Sequence, residues 1–313
     1  MKGLVVRNTG SHYTVKTDSG ELLTCKVKGN FRIRGIRTTN PVAVGDIVEA
    51  TPQTDDSAFI TSVYPRRNYI IRRATNLSRE AQIIASNLDQ AMLIVTFAHP
   101  TTSTTFIDRF LATAEAYRVA ATIVVNKIDL LTAADDTELL DAFEYLYTSI
   151  GYKVIKSSSI TGEGIDEIKA ALDGKTTLLS GNSGVGKSTI INTLMPDLNL
   201  RTAEISDAHD TGMHTTTFSE MFALPSGGYI IDTPGVKGFG TVDFDRAEAS
   251  HYFPEIFRTG RDCRYSNCTH THEPGCAVRD ALERNLIAAS RYASYLSILD
   301  DTDPNADKYR KPF

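Results

Sequence analysis

At 313 residues, with 41% hydrophobic and 23% charged content, the chain is long enough for two or three domains with packed cores. That balance, with 13 Tyr and 13 Phe, excludes a disordered, collagen-like or coiled-coil chain. A formal charge of −5, taken as a whole-chain average, argues against a simple basic nucleic-acid binder.

The first apolar run, Leu4-Val5-Val6, is too short for a signal-peptide core, and no stretch approaches the roughly 18 apolar residues that span a bilayer. Of four cysteines, Cys263, Cys268 and Cys276 crowd into one segment, unlike a secreted disulfide framework. A cytoplasmic chain without membrane contact is expected.

Charge is unevenly spread. Residues 1–73 carry 12 basic against six acidic side chains, a charge of +6, which leaves −11 on the other 240 residues. Short β-rich runs recur at 4–6, 13–15, 22–27, 42–48 and 59–63, parted by turn signals such as Asp18-Ser19-Gly20, Lys28-Gly29-Asn30 and Asn40-Pro41. Five such strands predict a small closed barrel of the OB type, a platform for single-stranded RNA or DNA. The segment Phe31-Arg32-Ile33-Arg34-Gly35-Ile36-Arg37 alternates arginine with apolar residues. It suits either an RNA contact or the solvated face of an edge strand. Residues 65–73 read as a linker.

From residue 74 strands and helices alternate. Continuous apolar runs at 91–97 and 120–125 predict buried parallel strands, and 153–155, 176–180 and 229–231 predict three more. Apolar residues at helical spacing place helices at 106–117, 138–150 and 165–172. The predicted class is α/β, a doubly wound domain over 74–242. Residues 243–313 carry Cys and His and then a helical pattern over 277–299.

Gly181-Asn182-Ser183-Gly184-Val185-Gly186-Lys187-Ser188 fits the phosphate-loop pattern completely, between a strand and a helix opening at Thr189. Its glycines let backbone N–H groups turn toward phosphates, with Lys187 bridging the β- and γ-phosphates and Ser188 binding Mg²⁺. Asp232-Thr233-Pro234-Gly235 follows a strand: Asp232 suits Mg²⁺ held through water, and the Gly235 N–H a γ-phosphate oxygen.

Asn126-Lys127-Ile128-Asp129 ends another strand. Guanine presents two adjacent N–H donors on one edge, which the Asp129 carboxylate accepts together; adenine has no such pair. Ser157-Ser158-Ser159-Ile160-Thr161-Gly162 supplies loop N–H groups to the guanine oxygen. GTP is therefore expected over ATP. In an ordinary small GTPase the phosphate loop precedes the guanine motifs. Here it follows them, so the domain reads as a circular permutation, which neighbouring termini permit.

Between phosphate loop and Asp232 lies Gly212-Met213-His214-Thr215-Thr216-Thr217, where a first switch belongs. Thr216 is the favoured extra Mg²⁺ ligand, with Thr215 and Thr217 as alternatives. Val236 stands where a Ras-like enzyme carries its water-orienting glutamine, which leaves His214 either to position that water or to sit solvated in a loop. Cys263-x4-Cys268-x-His270-x5-Cys276 offers three thiolates and an imidazole, the donor set of a closed tetrahedral structural zinc site, with His272 a rival fourth ligand.

In this order these motifs closely resemble the RsgA family (also YjeQ or YloQ) of circularly permuted GTPases, over essentially the whole chain. Met213 replaces the arginine of that family's usual G-R-H-T-T-T switch. The resemblance implies an OB barrel, a permuted GTPase and a zinc domain. It implies a monomer that binds the nearly finished small ribosomal subunit and its rRNA at the decoding region. That subunit stimulates hydrolysis of GTP to GDP, which accompanies release of the enzyme and of an assembly factor. It maps the family's catalytic histidine to His214, beside the phosphate-loop Lys187, itself read as catalytic, its Mg²⁺ serine to Ser188, and its structural Zn²⁺ ligands to Cys263, Cys268, His270 and Cys276. Two function classes fit the residues: a ribosome-stimulated GTPase, and an RNA-binding module in which GTP is a structural ligand.

Overall fold

Alternate residues of the first strands are apolar and buried, the pattern of a sheet with one face on a core. β1 (Lys2–Asn8) buries Val5, β2 (Tyr13–Thr17) Tyr13 and Val15, and β3 (Leu22–Val27) Leu23 and Cys25. β4 (Ile47–Thr54) and β5 (Ser57–Val63) add Val48, Ala50, Ala58 and Ile60 to the same interior. The computed structural model describes residues 1–27, 41–54, 57–73, 81–198, 219–232 and 245–301. Its strands run β1-β2-β3-β5-β4, and β4 returns to β1 with Lys2 opposite Glu49, closing the expected barrel. The strand expected at 42–48 begins only at Ile47. Residues 42–46 turn instead, because Gly45 takes φ +91° and the Asp46 carboxylate accepts the Ala43 N–H at 2.8 Å. The arginine loop 31–37 lies outside the described residues.

Residues 65–73, expected as a linker, contain a strand. β6 (Tyr69–Arg73) pairs antiparallel with β7 (Ala81–Ser86) as a two-stranded ribbon. Buried charge ties it to the barrel: Arg66 Nε and Nη2 each donate to the fully buried Asp46 carboxylate at 2.6 Å, and Ser86 Oγ donates to it at 2.6 Å. Such a two-pronged contact fixes direction as well as distance.

The next elements alternate as predicted: β8 (Gln90–Val95), α1 (Thr104–Ala116), β9 (Ala120–Val125), α2 (Ala134–Ile150), β10 (Lys153–Lys156), α3 (Ile165–Leu172), β11 (Thr176–Ser180) and α4 (Lys187–Leu194). The hairpin β12 (Glu220–Ala223) and β13 (Tyr229–Asp232) completes the sheet, in order β10-β9-β8-β11-β13-β12, parallel except at β12. Side chains alternate between its faces. Leu93, Val95, Ile123 and Val125 meet α1 and α2 through Phe110, Leu111, Phe143 and Tyr147. Met92, Ile94, Val124 and Leu179 meet α3 and α4 through Ile168, Leu172, Ile190 and Ile191. Burial on both faces is why these strands are apolar throughout. Strand β11 sits in space between β8 and β13, so the phosphate loop emerges at the centre of the sheet's carboxyl edge.

The sheet does not stop at β12. Arg7 of β1 lies opposite Glu220, with Nε 3.8 Å from its carboxylate, and Lys16 donates to the Tyr229 hydroxyl at 3.4 Å. Barrel and nucleotide domain thus share one eleven-stranded sheet.

After residue 244 come α5 (Pro254–Gly260), α6 (Ala277–Glu283) and α7 (Ala289–Asp301). The helical pattern expected over 277–299 forms two helices, parted where Asn285 takes the left-handed φ of +57°. Helix α7 docks on α1 through buried Arg291, which bonds Asp108 at 2.8 Å and Glu255 at 2.6 Å. Tyr147 adds its hydroxyl to Asp108 at 2.8 Å. Among the described residues no helix is long and apolar enough to cross a membrane.

Candidate functional site

The phosphate loop joins β11 to α4, and two of its glycines are set by close neighbours. A Cβ on Gly181 would stand 2.3 Å from the Ile94 carbonyl oxygen, and one on Gly186 2.3 Å from Asn126 Nδ2; both glycines have positive φ. Lys187 Nζ curls over the loop and donates to the Gly181 and Asn182 carbonyls at 2.6 and 2.8 Å. Burial pushes its pKa down, and the nearby Asp232 carboxylate at the end of β13 opposes that. Lys187 and Asp232 therefore lie close enough to interact at the sheet edge, with Ser188 next to Lys187 at the start of α4.

Asn126, 2% exposed, bridges the two motifs. Its Nδ2 donates to the Val185 carbonyl at 2.9 Å, and its Oδ1 accepts from Ser157 Oγ at 3.2 Å. Lys127 takes the left-handed φ of +62° and sends Nζ to the His99 carbonyl at 2.6 Å. Ser158 Oγ donates to Asp129 Oδ1 at 2.5 Å while accepting the N–H groups of Ile160 and Thr161, both at 3.2 Å. The Asp129 carboxylate is thus held in one orientation by the Ser158 hydroxyl. Ser159 follows in the same loop, its hydroxyl buried with no protein partner.

The structure brings Asn126, Lys127, Asp129, Ser158, Ser159, residues 181–188, Thr189 and Asp232 to one edge. His214, Thr216 with its alternatives Thr215 and Thr217, Met213, Gly235 and Val236 lie outside the described residues. Sequence reasoning did not single out His99, whose carbonyl takes Lys127, or Pro100, which lies against Gly184 of the loop, because no motif announces them.

A second cluster lies some way along the chain. One ligand atom from each of Cys263, Cys268, His270 and Cys276 falls within 4.8 Å of the others. Cys263 Sγ is 3.5 Å from His270 Nδ1 and 3.9 Å from Cys276 Sγ, and Cys276 Sγ is 3.6 Å from the same nitrogen. His272 is exposed, bonded to Thr271, and is not in the cluster. Gly260 makes room: a Cβ there would stand 3.0 Å from His270 Cε1. Helix α7 holds the ligand loop from behind, with Tyr292 and Tyr295 donating to the His270 and Thr269 carbonyls at 2.6 and 2.8 Å.

Glu273 ties the same loop by accepting Thr269 N–H, Thr269 Oγ1, Thr271 N–H and His272 N–H. Burial pushes its carboxyl up, but those bonds win and hold it well below the usual carboxylate range. Burial also pushes the Cys268 thiol up to about 12. Three soft sulfurs and one imidazole nitrogen at these separations fit a tetrahedral divalent ion.

Fold and site together define a circularly permuted P-loop GTPase. The sequence matches the RsgA GTPase family over residues 63–242 and the RsgA N-terminal domain over residues 2–60. It is 59% identical over 313 residues to "Small ribosomal subunit biogenesis GTPase RsgA" of Phocaeicola vulgatus, and 59% over 315 to the protein of that name in Bacteroides fragilis. Both alignments cover 100% of each chain. The fold superposes on the crystal structure of YjeQ from Thermotoga maritima with a TM-score of 0.77 and 35% identity, covering 96% of this chain and 98% of that one. It also superposes on YloQ, described as a circularly permuted GTPase, with a TM-score of 0.72 and 28% identity, covering 100% and 96%. The chain belongs to the RsgA GTPase family, and it is a GTP-hydrolysing enzyme.

Proposed function

We propose that the chain is a GTP hydrolase of late small-subunit maturation, stimulated by the small ribosomal subunit and coupled to release of assembly factors. Asn126 carries the nucleotide half of this reading. One buried amide joins the guanine motif to the phosphate loop, so base and phosphates are read by a single rigid unit. Full-length similarity to relatives that bear a ribosome-biogenesis name supports the other half.

In this reading Asp129, aimed by Ser158, accepts the two guanine N–H donors, and Lys127 lays its stem along the base. The Ser158 N–H is taken up by the Glu163 carbonyl at 3.0 Å, so the Ser159 N–H is the loop donor that meets the guanine oxygen. Lys187 exchanges two neutral carbonyls for the β- and γ-phosphates, a stronger charge-assisted contact. The loop N–H groups from Gly181 to Thr189 cradle the phosphates. Ser188, Thr216 and, through water, Asp232 offer the hard oxygen donors that suit Mg²⁺, which when bound neutralises charge on the phosphate oxygens. Gly235 meets the γ-phosphate and His214 orients water in place of the missing glutamine. Cys263, Cys268, His270 and Cys276 would hold a structural Zn²⁺ that closes the C-terminal domain.

We divide the chain into a barrel with its connection at 1–73, the GTPase domain at 74–242 and the zinc domain at 243–313. The positive charge of the first part serves rRNA. The protein acts as a cytoplasmic monomer. The test is GTP turnover with and without purified small subunits: stimulation is expected, and its loss in His214→Ala. Absence of stimulation, together with unchanged turnover in that variant, would sink the proposal.

A further inference from the structure

Strand β8 ends at Val95, and the chain makes a closed loop before α1 begins at Thr104. The loop ties itself shut through two threonines. Thr96, fully buried, donates its hydroxyl to the Pro100 carbonyl, and its N–H donates to Thr102 Oγ1 at 3.2 Å. Its carbonyl accepts the Thr102 N–H at 2.8 Å, and Thr101 Oγ1 donates to the Phe97 carbonyl at 3.1 Å.

This closure points two groups at the nucleotide motifs. The His99 carbonyl meets Lys127 Nζ at 2.6 Å across 28 positions of sequence. The Pro100 ring lies against the phosphate loop, where a Cβ on Gly184 would stand 3.4 Å from its Cδ. His99 itself is held at φ +45°, sparsely populated for a residue with a side chain, which persists only where surroundings enforce it.

We propose that Thr96 is a positioning residue for the guanine-nucleotide site. Its hydroxyl keeps residues 96–102 closed, so that the His99 carbonyl fixes Lys127 and Pro100 buttresses the phosphate loop. The inference rests on reading Lys127 and residues 181–188 as the nucleotide site. A lysine stem has four freely turning bonds, and tying its ammonium to a fixed carbonyl removes that freedom before the ligand arrives. The tie is the same in ground state and transition state. It therefore acts on binding and leaves the hydrolytic step alone.

The experiment measures fluorescent-GDP affinity and steady-state GTP hydrolysis on the full-length protein. Thr96→Val keeps the shape and removes the hydroxyl; it should weaken GDP binding about five- to tenfold, the weight of one neutral hydrogen bond. Its kcat at saturating GTP should stay within about twofold of the parent, and Thr96→Ser should restore affinity to within about twofold. In a Lys127→Met background Thr96→Val should have an effect at least about twofold smaller, because one of the two positioned groups is gone while the Pro100 contact remains. Should Thr96→Val not fold, Thr102→Val removes the other staple and should show the same pattern.

An unchanged GDP affinity in Thr96→Val, or a full loss persisting in the Lys127→Met background, overturns the positioning role. Failure of Thr96→Ser to restore binding does the same. Lys187→Ala separates this from the underlying reading. If that variant loses GDP while Thr96→Val does not, only the role of Thr96 falls. If Lys187→Ala binds GDP like the parent, the nucleotide-site assignment falls and takes the inference with it.

Discussion

Replacing Arg291 by methionine strips one positive charge from the interior of the α1–α7 contact. Methionine fills much of the volume but leaves fully buried Asp108 and nearly buried Glu255 without the guanidinium that bonds them at 2.8, 2.6 and 3.1 Å. Burial opposes the arginine's charge, yet Glu255 and Asp108 hold its pKa above the ordinary guanidinium value. Removing one partner of a buried ion pair costs about 3–5 kcal/mol. The Phe253 ring, its centroid 4.6 Å from the guanidinium carbon, loses a contact of about 0.5–2 kcal/mol as well.

The substitution should therefore destabilise the docked C-terminal helices by about 4 kcal/mol, near 10 °C in Tm at roughly 2–4 °C per kcal/mol. The chain has no tryptophan and 13 tyrosines, so urea unfolding followed by tyrosine fluorescence reads the event, with Tyr147 and Tyr295 close to it. Neutralising both acids in the same background, by Asp108→Asn and Glu255→Gln, should recover about half of the loss, since uncompensated charge is its main part. A loss under about 1 kcal/mol in Arg291→Met, or no recovery in the triple variant, refutes the reasoning.

Gly186→Ala should abolish measurable GTP binding while the fold survives, because its Cβ would meet Asn126 Nδ2 at 2.3 Å at a φ of +97°; isothermal titration beside a thermal melt checks both halves. Asp129→Asn should weaken GTP and strengthen xanthosine triphosphate by about tenfold or more each, and competition binding that moves both in one direction contradicts the guanine assignment. Freshly purified protein should hold about one equivalent of zinc by metal analysis, and chelation should lower its Tm and release Tyr292 and Tyr295 to faster hydrogen exchange nearby.

The parallel strands were legible because burial on both faces demands unbroken apolar runs, as in Met92-Leu93-Ile94-Val95 and Ile123-Val124-Val125. That residues 126–129 and 181–188 belong together was legible for a different reason: they fit two halves of one nucleotide pattern, and the Asn126 amide joins them in the fold. What escaped is chemistry between distant positions. Arg66 with Asp46, Arg291 with Asp108, and Lys127 with the His99 carbonyl are pairs without a local pattern. β6 lay inside a stretch read as a linker, and the helical pattern over 277–299 gave no sign of the break at Asn285, which signals one less strongly than Gly or Pro.

The pairing of the barrel with the β12–β13 hairpin has an electrostatic consequence. Glu220 stands opposite Asp232 on one side and opposite Arg7 on the other, so a single rung crosses three strands from the phosphate edge to the barrel. Two strand spacings amount to roughly 10 Å. That is about one Debye length at physiological ionic strength, and through protein the screening is weaker still. In the proposed site the γ-phosphate lies near Asp232, so its departure would remove negative charge near one end of this rung and alter the field at the barrel edge that carries Arg7.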